Sequence, residues 1–84
     1  MGKREKDLRL GAYLEAYGGF LTDKQRVVAH LYYMEDLSLS EIAKDANISR
    51  QGVQDTLNRA RRRLYDMEAR LQLVGRGQEV RNGV

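Results

Sequence analysis

The sequence predicts an all-α fold of four helices, the last of them long. Three observations lead to this prediction. The 84 residues include no Pro, so no residue forces a helix to break. Apolar residues recur at spacings of three and four, which places them on one face of a helix. Two segments, TDKQ and SLSE, have the sequence of a capping box, which starts a helix.

The first predicted helix covers roughly residues 5–17, with Leu10, Leu14 and Tyr17 on one face. The pair Gly18-Gly19 is expected to end it, because Gly readily adopts the left-handed conformation of a helix end. Thr22 is expected to cap a second helix that ends near residues 35–36. The buried face of that helix is predicted to comprise Val27, Val28, Leu31, Tyr32 and Met34.

Ser38 is predicted to cap a short third helix over residues 39–46, whose inner face is formed by Ile42, Ala43 and Ala46. A three-residue turn follows, in which Asn47 tolerates a positive φ. Ser49 then caps a fourth helix that is expected to run unbroken to Val74. We expect a domain over residues 1–74 and a disordered tail over residues 75–84.

Residues 39–57 have the layout of a DNA-binding helix-turn-helix without a wing: a short capped helix, a tight turn and a second capped helix. If the apolar residues of this segment pack together at the corner, helical spacing predicts that five polar side chains face outward: Arg50, Gln51, Gln54, Asp55 and Asn58. Arg, Gln and Asn are suited to base edges. Phosphates are better matched by Arg59, Arg61, Arg62 and Arg63. The competing interpretation is an ordinary solvated helix face, which contains the same residue types.

The charge distribution favours the nucleic-acid interpretation over a merely solvated face. The net charge of the chain is only +3. Residues 50–63 contain five Arg and a single Asp, so the whole excess of positive charge lies on the candidate recognition helix. A local cluster of this kind indicates an anionic partner.

The fourth helix also contains a heptad seam, in which apolar residues alternate at spacings of four and three after Val53: Leu57, Ala60, Leu64, Met67, Leu71 and Val74. The seam needs a covering surface, which is either the first helix of the same chain or a second subunit. The chain is short and has no Cys for a disulfide, so association offers the largest gain in stability. We therefore expect a homodimer.

Composition argues against an enzyme, a cofactor or a metal site. His30 is the only His and there is no Cys, so neither a nucleophile–His pair nor a four-ligand zinc site is expected. No Gly-rich phosphate loop is present. The charged N-terminal segment and the lack of a long apolar run predict a cytoplasmic protein without a membrane span.

Three segments resemble the YlxM family of small bacterial helix-turn-helix proteins: LTDKQR (21–26), LYYMEDLSLSEIA (31–43) and ISRQGVQDTLNRARRRL (48–64). The resemblance covers about residues 8–74 and extends more loosely to region 4 of sigma factors, in which paired helices read promoter DNA. It implies a sigma-region-4-like fold, often dimeric, and a regulatory role. By position, the implied contact residues are Ser49, Arg50, Gln51, Gln54, Asp55, Asn58 and Arg59.

The resemblance further implies a link to the signal recognition particle, because such proteins are typically encoded beside the particle's GTPase or its receptor. This leaves two alternatives to a DNA-binding regulator. One is an accessory factor that binds the particle's RNA or protein without reading DNA. The other is a structural protein that uses the heptad seam as its working surface.

Overall fold

The computed structural model describes residues 9–75, which form four α-helices. These are α1 (Arg9–Tyr17), α2 (Asp23–Tyr33), α3 (Leu39–Ala46) and α4 (Arg50–Leu71), and a 3-10 turn (Gly18–Phe20) follows α1. No strand occurs within this described range, and the predicted all-α class with a long C-terminal helix is confirmed. The expected start of the first helix at residue 5, and the expected disordered tail apart from Gly75, lie outside the described residues.

The helices begin where the sequence places their caps. In the first capping box the Gln25 backbone N–H donates to Thr22 Oγ1 at 3.1 Å, and the Thr22 N–H donates to Gln25 Oε1 at 3.1 Å. Ser38 and Glu41 form the second box at 3.1 and 2.8 Å. Each box satisfies two N–H groups that a helix start would otherwise leave unpaired.

The end of α1 lies where Gly18-Gly19 predicts it, but the expected mechanism is wrong. No Gly among residues 9–75 has a positive φ. The backbone instead tightens into the 3-10 turn, and the Leu21 N–H donates to the Gly18 carbonyl at 3.1 Å. A 3-10 turn satisfies the last carbonyls of a helix without any left-handed residue.

The core lies along α4, against which α1, α2 and α3 all pack. The seam residues Leu57, Ala60, Leu64 and Met67 are buried within the single chain. Beyond them Leu71 is 40% exposed and Val74 is half-buried. Helices of the same chain therefore cover the seam as far as Met67.

Three residues predicted to be buried are exposed. On α2 the buried residues are Val28 and Ala29, so Val27, about 100° around the helix from Val28, faces solvent. Met34 follows the last turn of α2 and is 40% exposed. Ala46 is exposed because α3 packs through Ile42 and Ala43, one turn earlier.

The long helix ends before its predicted limit. Gln72 adopts a left-handed conformation with φ 54° and ψ 33°, and its N–H donates to the Glu68 carbonyl at 2.8 Å. Residues 73–75 are helical again. The expectation of an unbroken helix to Val74 is therefore wrong, because a single left-handed residue redirects the chain.

A polar cluster that we call the Tyr17–Glu68 clasp holds this redirected segment. The buried Tyr17 hydroxyl donates to the Glu68 carboxylate and accepts the Leu73 N–H at 3.0 Å. The same carboxylate accepts the N–H groups of Val74 at 3.3 Å and Gly75 at 3.0 Å. The clasp thus joins α1, α4 and the helical residues 73–75. Tyr17 and Glu68 are 51 residues apart, so local sequence does not indicate that their side chains meet.

Candidate nucleic-acid interface

The predicted helix-turn-helix corner is present between α3 and α4. Asn47 has φ 59° and ψ 45°, the left-handed conformation that the turn needs. The Ile48 N–H donates to the Ala43 carbonyl at 3.0 Å, which is the 6→1 bond of a Schellman motif, and the Asn47 N–H donates to the same carbonyl. The Ser49 hydroxyl then accepts the Gly52 N–H at 2.9 Å and starts α4.

The corner is closed by apolar residues from both helices. Ile42 of α3 and Val53 of α4 are both fully buried, and Leu57 is buried one turn further along α4. Ala43 is the small residue that permits close contact between the two helices, as predicted. These contacts fix the rotation of α4 and therefore decide which of its side chains face solvent.

The exposed face of α4 begins with a row that we call the reading stripe, consisting of Arg50, Gln51, Asp55 and Arg62. Gln51 and Asp55 are one turn apart, and the Gln51 side-chain amide donates to Asp55 Oδ1 at 3.1 Å. This bond aligns an amide and a carboxylate side by side at the solvent edge. Amide donors and acceptors of this kind can pair with the edges of bases.

Two other predicted base-reading residues belong to a half-buried network beside the stripe. The Gln54 amide donates to Asn58 Oδ1 at 3.3 Å, and the Arg61 guanidinium donates to the same oxygen. Arg61 also donates to the Tyr33 hydroxyl of α2 at 3.0 Å. Gln54, Asn58 and Arg61 are thus held in place by partners within the chain, and Arg61 links α4 to α2.

The remaining arginines of the cluster point into an open groove between the start of α2 and the middle of α4. The α4 side of this α2–α4 groove is lined by Arg59, Arg62, Arg63 and Asp66. Its other side is lined by Phe20, Thr22 and Gln25. The groove has a volume of about 540 Å³. Arg62 lies on the border and belongs to both the groove and the reading stripe.

The electrostatics of the groove are dominated by uncompensated positive charge. The side chains of Arg59, Arg62 and Arg63 are exposed and form no hydrogen bond or ion pair with any residue between 9 and 75. The one carboxylate of the lining, Asp66, is bonded to the Arg70 guanidinium at 3.1 Å. A mobile anion entering the groove therefore meets three guanidinium groups and no free acid.

Sequence reasoning misses the α2 side of this groove. Phe20 lies in the 3-10 turn, where no helical periodicity marks it, and it is 51% exposed. Thr22 and Gln25 are recognised only as cap residues. The one available signal is that Phe20, the sole Phe of the chain, lies two residues before the helix cap Thr22.

Two further properties concern the described residues alone. No group of His, Asp and Glu side chains between residues 9 and 75 is arranged to hold a metal ion. None of the helices in that same range combines the length and apolar character needed to cross a bilayer.

The fold and this corner define an all-helical helix-turn-helix protein. The family model described as "Putative helix-turn-helix protein, YlxM / p13 like" matches residues 4–83, and the chain belongs to this UPF0122 family. The resemblance to YlxM proteins seen in the sequence is therefore confirmed. The description of the family names a helix-turn-helix.

Curated relatives agree with this assignment. A UPF0122 protein of Thermoanaerobacter sp. is 53% identical over 66 residues, which cover 79% of this chain and 56% of the relative. A UPF0122 protein of Clostridium kluyveri is 46% identical over 70 residues, covering 83% and 63%. One of Lacticaseibacillus casei is 45% identical over 69 residues, covering 82% and 61%. The matched region thus spans 56–63% of the length of these relatives.

Proposed function

We propose that this chain is a non-enzymatic, DNA-binding regulator of transcription that acts in the cytoplasm. The observation on which the proposal rests is the helix-turn-helix corner, which presents Arg50, Gln51 and Asp55 on the solvent side of the first turns of α4. A helix held in this way fits the major groove with its N-terminal residues against base edges.

The proposed roles follow the position of each side chain. Arg50 and Gln51 read base edges directly, and Ser49 and Asp55 hold the start of the stripe in place. Gln54 and Asn58 read bases from the half-buried network, with Arg61 as a positioning residue through its bond to Tyr33. Phosphates are held by Arg59, Arg62 and Arg63.

The test is duplex binding measured by fluorescence anisotropy, on sites selected from a random-sequence library and at several salt concentrations. Arg59→Ala should weaken binding to all duplexes alike and reduce the slope of log K against log salt by about 1. Gln51→Ala should instead lower the preference for selected over unselected sites, at an expected discrimination of about 1–3 kcal/mol per base contact.

The matched control is Gln72→Ala, which removes an exposed amide from the opposite end of α4. It should bind like the wild type. Absence of duplex binding at low salt would refute the proposal. Equal losses in Gln51→Ala and Gln72→Ala would show that the reading stripe is not used.

The alternative partner is the signal recognition particle, through its RNA or its protein. It is favoured by one observation: three arginines line a groove, and two of them, Arg59 and Arg63, lie outside the reading stripe. A pull-down with the particle's RNA and GTPase, in the presence of competing duplex DNA, separates the two functions. Retention that duplex DNA does not reduce would favour the particle.

We also propose a homodimer, now restricted to the exposed end of the seam. Leu71 is 40% exposed, and Leu73, two residues further along the chain, is 56% exposed. Two neighbouring leucines in water gain from burial against a second copy. A two-fold arrangement would present two reading helices to the two half-sites of a palindromic operator.

A further inference from the structure

We propose that the α2–α4 groove also binds single-stranded nucleic acid. In this arrangement an unpaired base stacks on the Phe20 ring, and the adjoining phosphates lie against Arg59, Arg62 and Arg63. The inference shares these three arginines with the phosphate contacts of the proposed function, and it goes beyond that function by adding the Phe20 ring and a different form of nucleic acid.

The first argument is the position of Phe20. Its ring is 51% exposed at the edge of the groove, although the neighbouring aromatics of α1, Tyr13 and Tyr17, are buried. The backbone beneath it is well fixed, since Gly18 and Leu21 are buried and joined by a hydrogen bond of 3.1 Å. A fixed, half-exposed ring is a stacking platform for a base, and such stacking tolerates any sequence.

The second argument is the charge beside this ring. Guanidinium groups match phosphate oxygens in geometry and form bidentate bonds with them. The three groove arginines have no acidic partner among the described residues, and Asp66 is engaged by Arg70. An aromatic ring together with a positively charged groove is the combination by which proteins bind single strands.

The third argument separates the Phe20 side of the groove from duplex DNA held on the reading stripe. On a helix with 3.6 residues per turn, Arg59 and Arg63 lie about 80° and 120° around α4 from Gln51. A duplex seated on the stripe would meet these two arginines only through its phosphates, and the Phe20 side of the groove would stay open. A paired base also has no free face for the Phe20 ring, so the chemistry of the groove selects an unpaired nucleotide.

The test uses short single-stranded oligonucleotides with one 2-aminopurine, made as DNA and as RNA. The chain has no Trp, so the probe's fluorescence is easily separated from that of the protein. Binding to the wild type should quench the probe by stacking. Phe20→Ala should abolish the quenching and weaken binding about tenfold, while Phe20→Tyr should keep both. Comparing the affinities of the DNA and RNA oligonucleotides identifies which sugar the groove accepts.

Val27→Ala is the matched control, because Val27 is 53% exposed on α2 and does not line the groove. It should behave as the wild type. Arg63→Ala should weaken binding but retain quenching in the bound complex. The proposal is wrong if Phe20→Ala keeps its affinity and its quenching. It is equally wrong if Gln51→Ala weakens single-strand binding as much as Phe20→Ala does. Failure of duplex binding alone affects only the proposed function.

Discussion

Asn47 sets the angle between the two helices of the corner. It adopts φ 59°, a conformation that costs an ordinary L-residue about 1–2 kcal/mol and costs Asn less. The left-handed turn lets the N–H groups of residues 47 and 48 reach the Ala43 carbonyl, which ends α3 and directs the chain into α4. The orientation of the reading stripe therefore depends on one backbone conformation.

We expect Asn47→Ala to lower the free energy of unfolding by about 1 kcal/mol, because Ala lacks the local stabilisation that Asn has at positive φ. Asn47→Gly should match or exceed the wild type, since Gly adopts this conformation without a steric penalty. Thermal unfolding followed by circular dichroism measures both. Ser40→Ala, an exposed change on α3, should stay within about 0.5 kcal/mol. Equal stability of the Ala and Gly variants would contradict this account.

At the scale of elements, the Tyr17–Glu68 clasp ties α1 to α4. Burial and the bond to the Glu68 carboxylate raise the pKa of Tyr17 above 10.0. Burial of Glu68 opposes its ionisation, but the bonds from Tyr17 and from the N–H groups of Gly75 and Val74 outweigh this, and the pKa of Glu68 falls below 4.5. Both pKa shifts favour the state in which the Tyr17 phenol is neutral and the Glu68 carboxylate is ionised.

The clasp should make stability depend on pH at both extremes. The Glu68 contribution is full above pH 4.5 and is lost as the pH falls through the lowered pKa, when the carboxylate is protonated. The Tyr17 contribution is full below pH 10.0 and is lost as the pH rises through the raised pKa. Tyr17→Phe should lower stability at neutral pH and flatten the profile at both ends, as measured by urea unfolding across the pH range.

Glu15→Gln serves as the control, because Glu15 is exposed on α1 and takes no part in the clasp. It should reproduce the wild-type profile. A Tyr17→Phe variant with an unchanged pH profile would show that the clasp does not contribute to folding.

Helix starts are predictable from this sequence, but helix rotation is only partly so. Thr22 and Ser38 each bond to a residue only three positions later, so the local sequence is enough to predict their capping. The exposure of Val27, by contrast, depends on which side of α2 meets α4, a contact between distant segments. The same reason explains why the reading stripe follows from periodicity, whereas the groove around Phe20 does not.

At the scale of the whole molecule, the single chain covers most of its own seam. Leu64 is fully buried against other helices, so replacing it cannot distinguish a lost dimer from a lost fold. Leu71 and Leu73 remain exposed near the end of the seam, where a second copy could cover them. The proposed dimer thus rests on the end of α4 and the residues just after it, and not on the full heptad repeat.

Leu71→Lys should yield a folded monomer, because the charge is placed at an exposed position that a dimer would have to dehydrate. Light scattering coupled to size exclusion gives the mass, and circular dichroism confirms the helix content. Val27→Lys, an equally drastic change at an exposed site on α2, should remain dimeric. A wild-type mass of one chain would refute the dimer.

The arrangement of three helices against α4 also has a consequence for dynamics. Any helix that detaches uncovers part of the same apolar stripe, so opening the middle of α4 should cost nearly as much as global unfolding. Amide protons in the middle of α4 should then exchange with solvent only when the whole domain unfolds. The helix-turn-helix corner would then be rigid before it binds its partner, so little conformational entropy would be lost on binding.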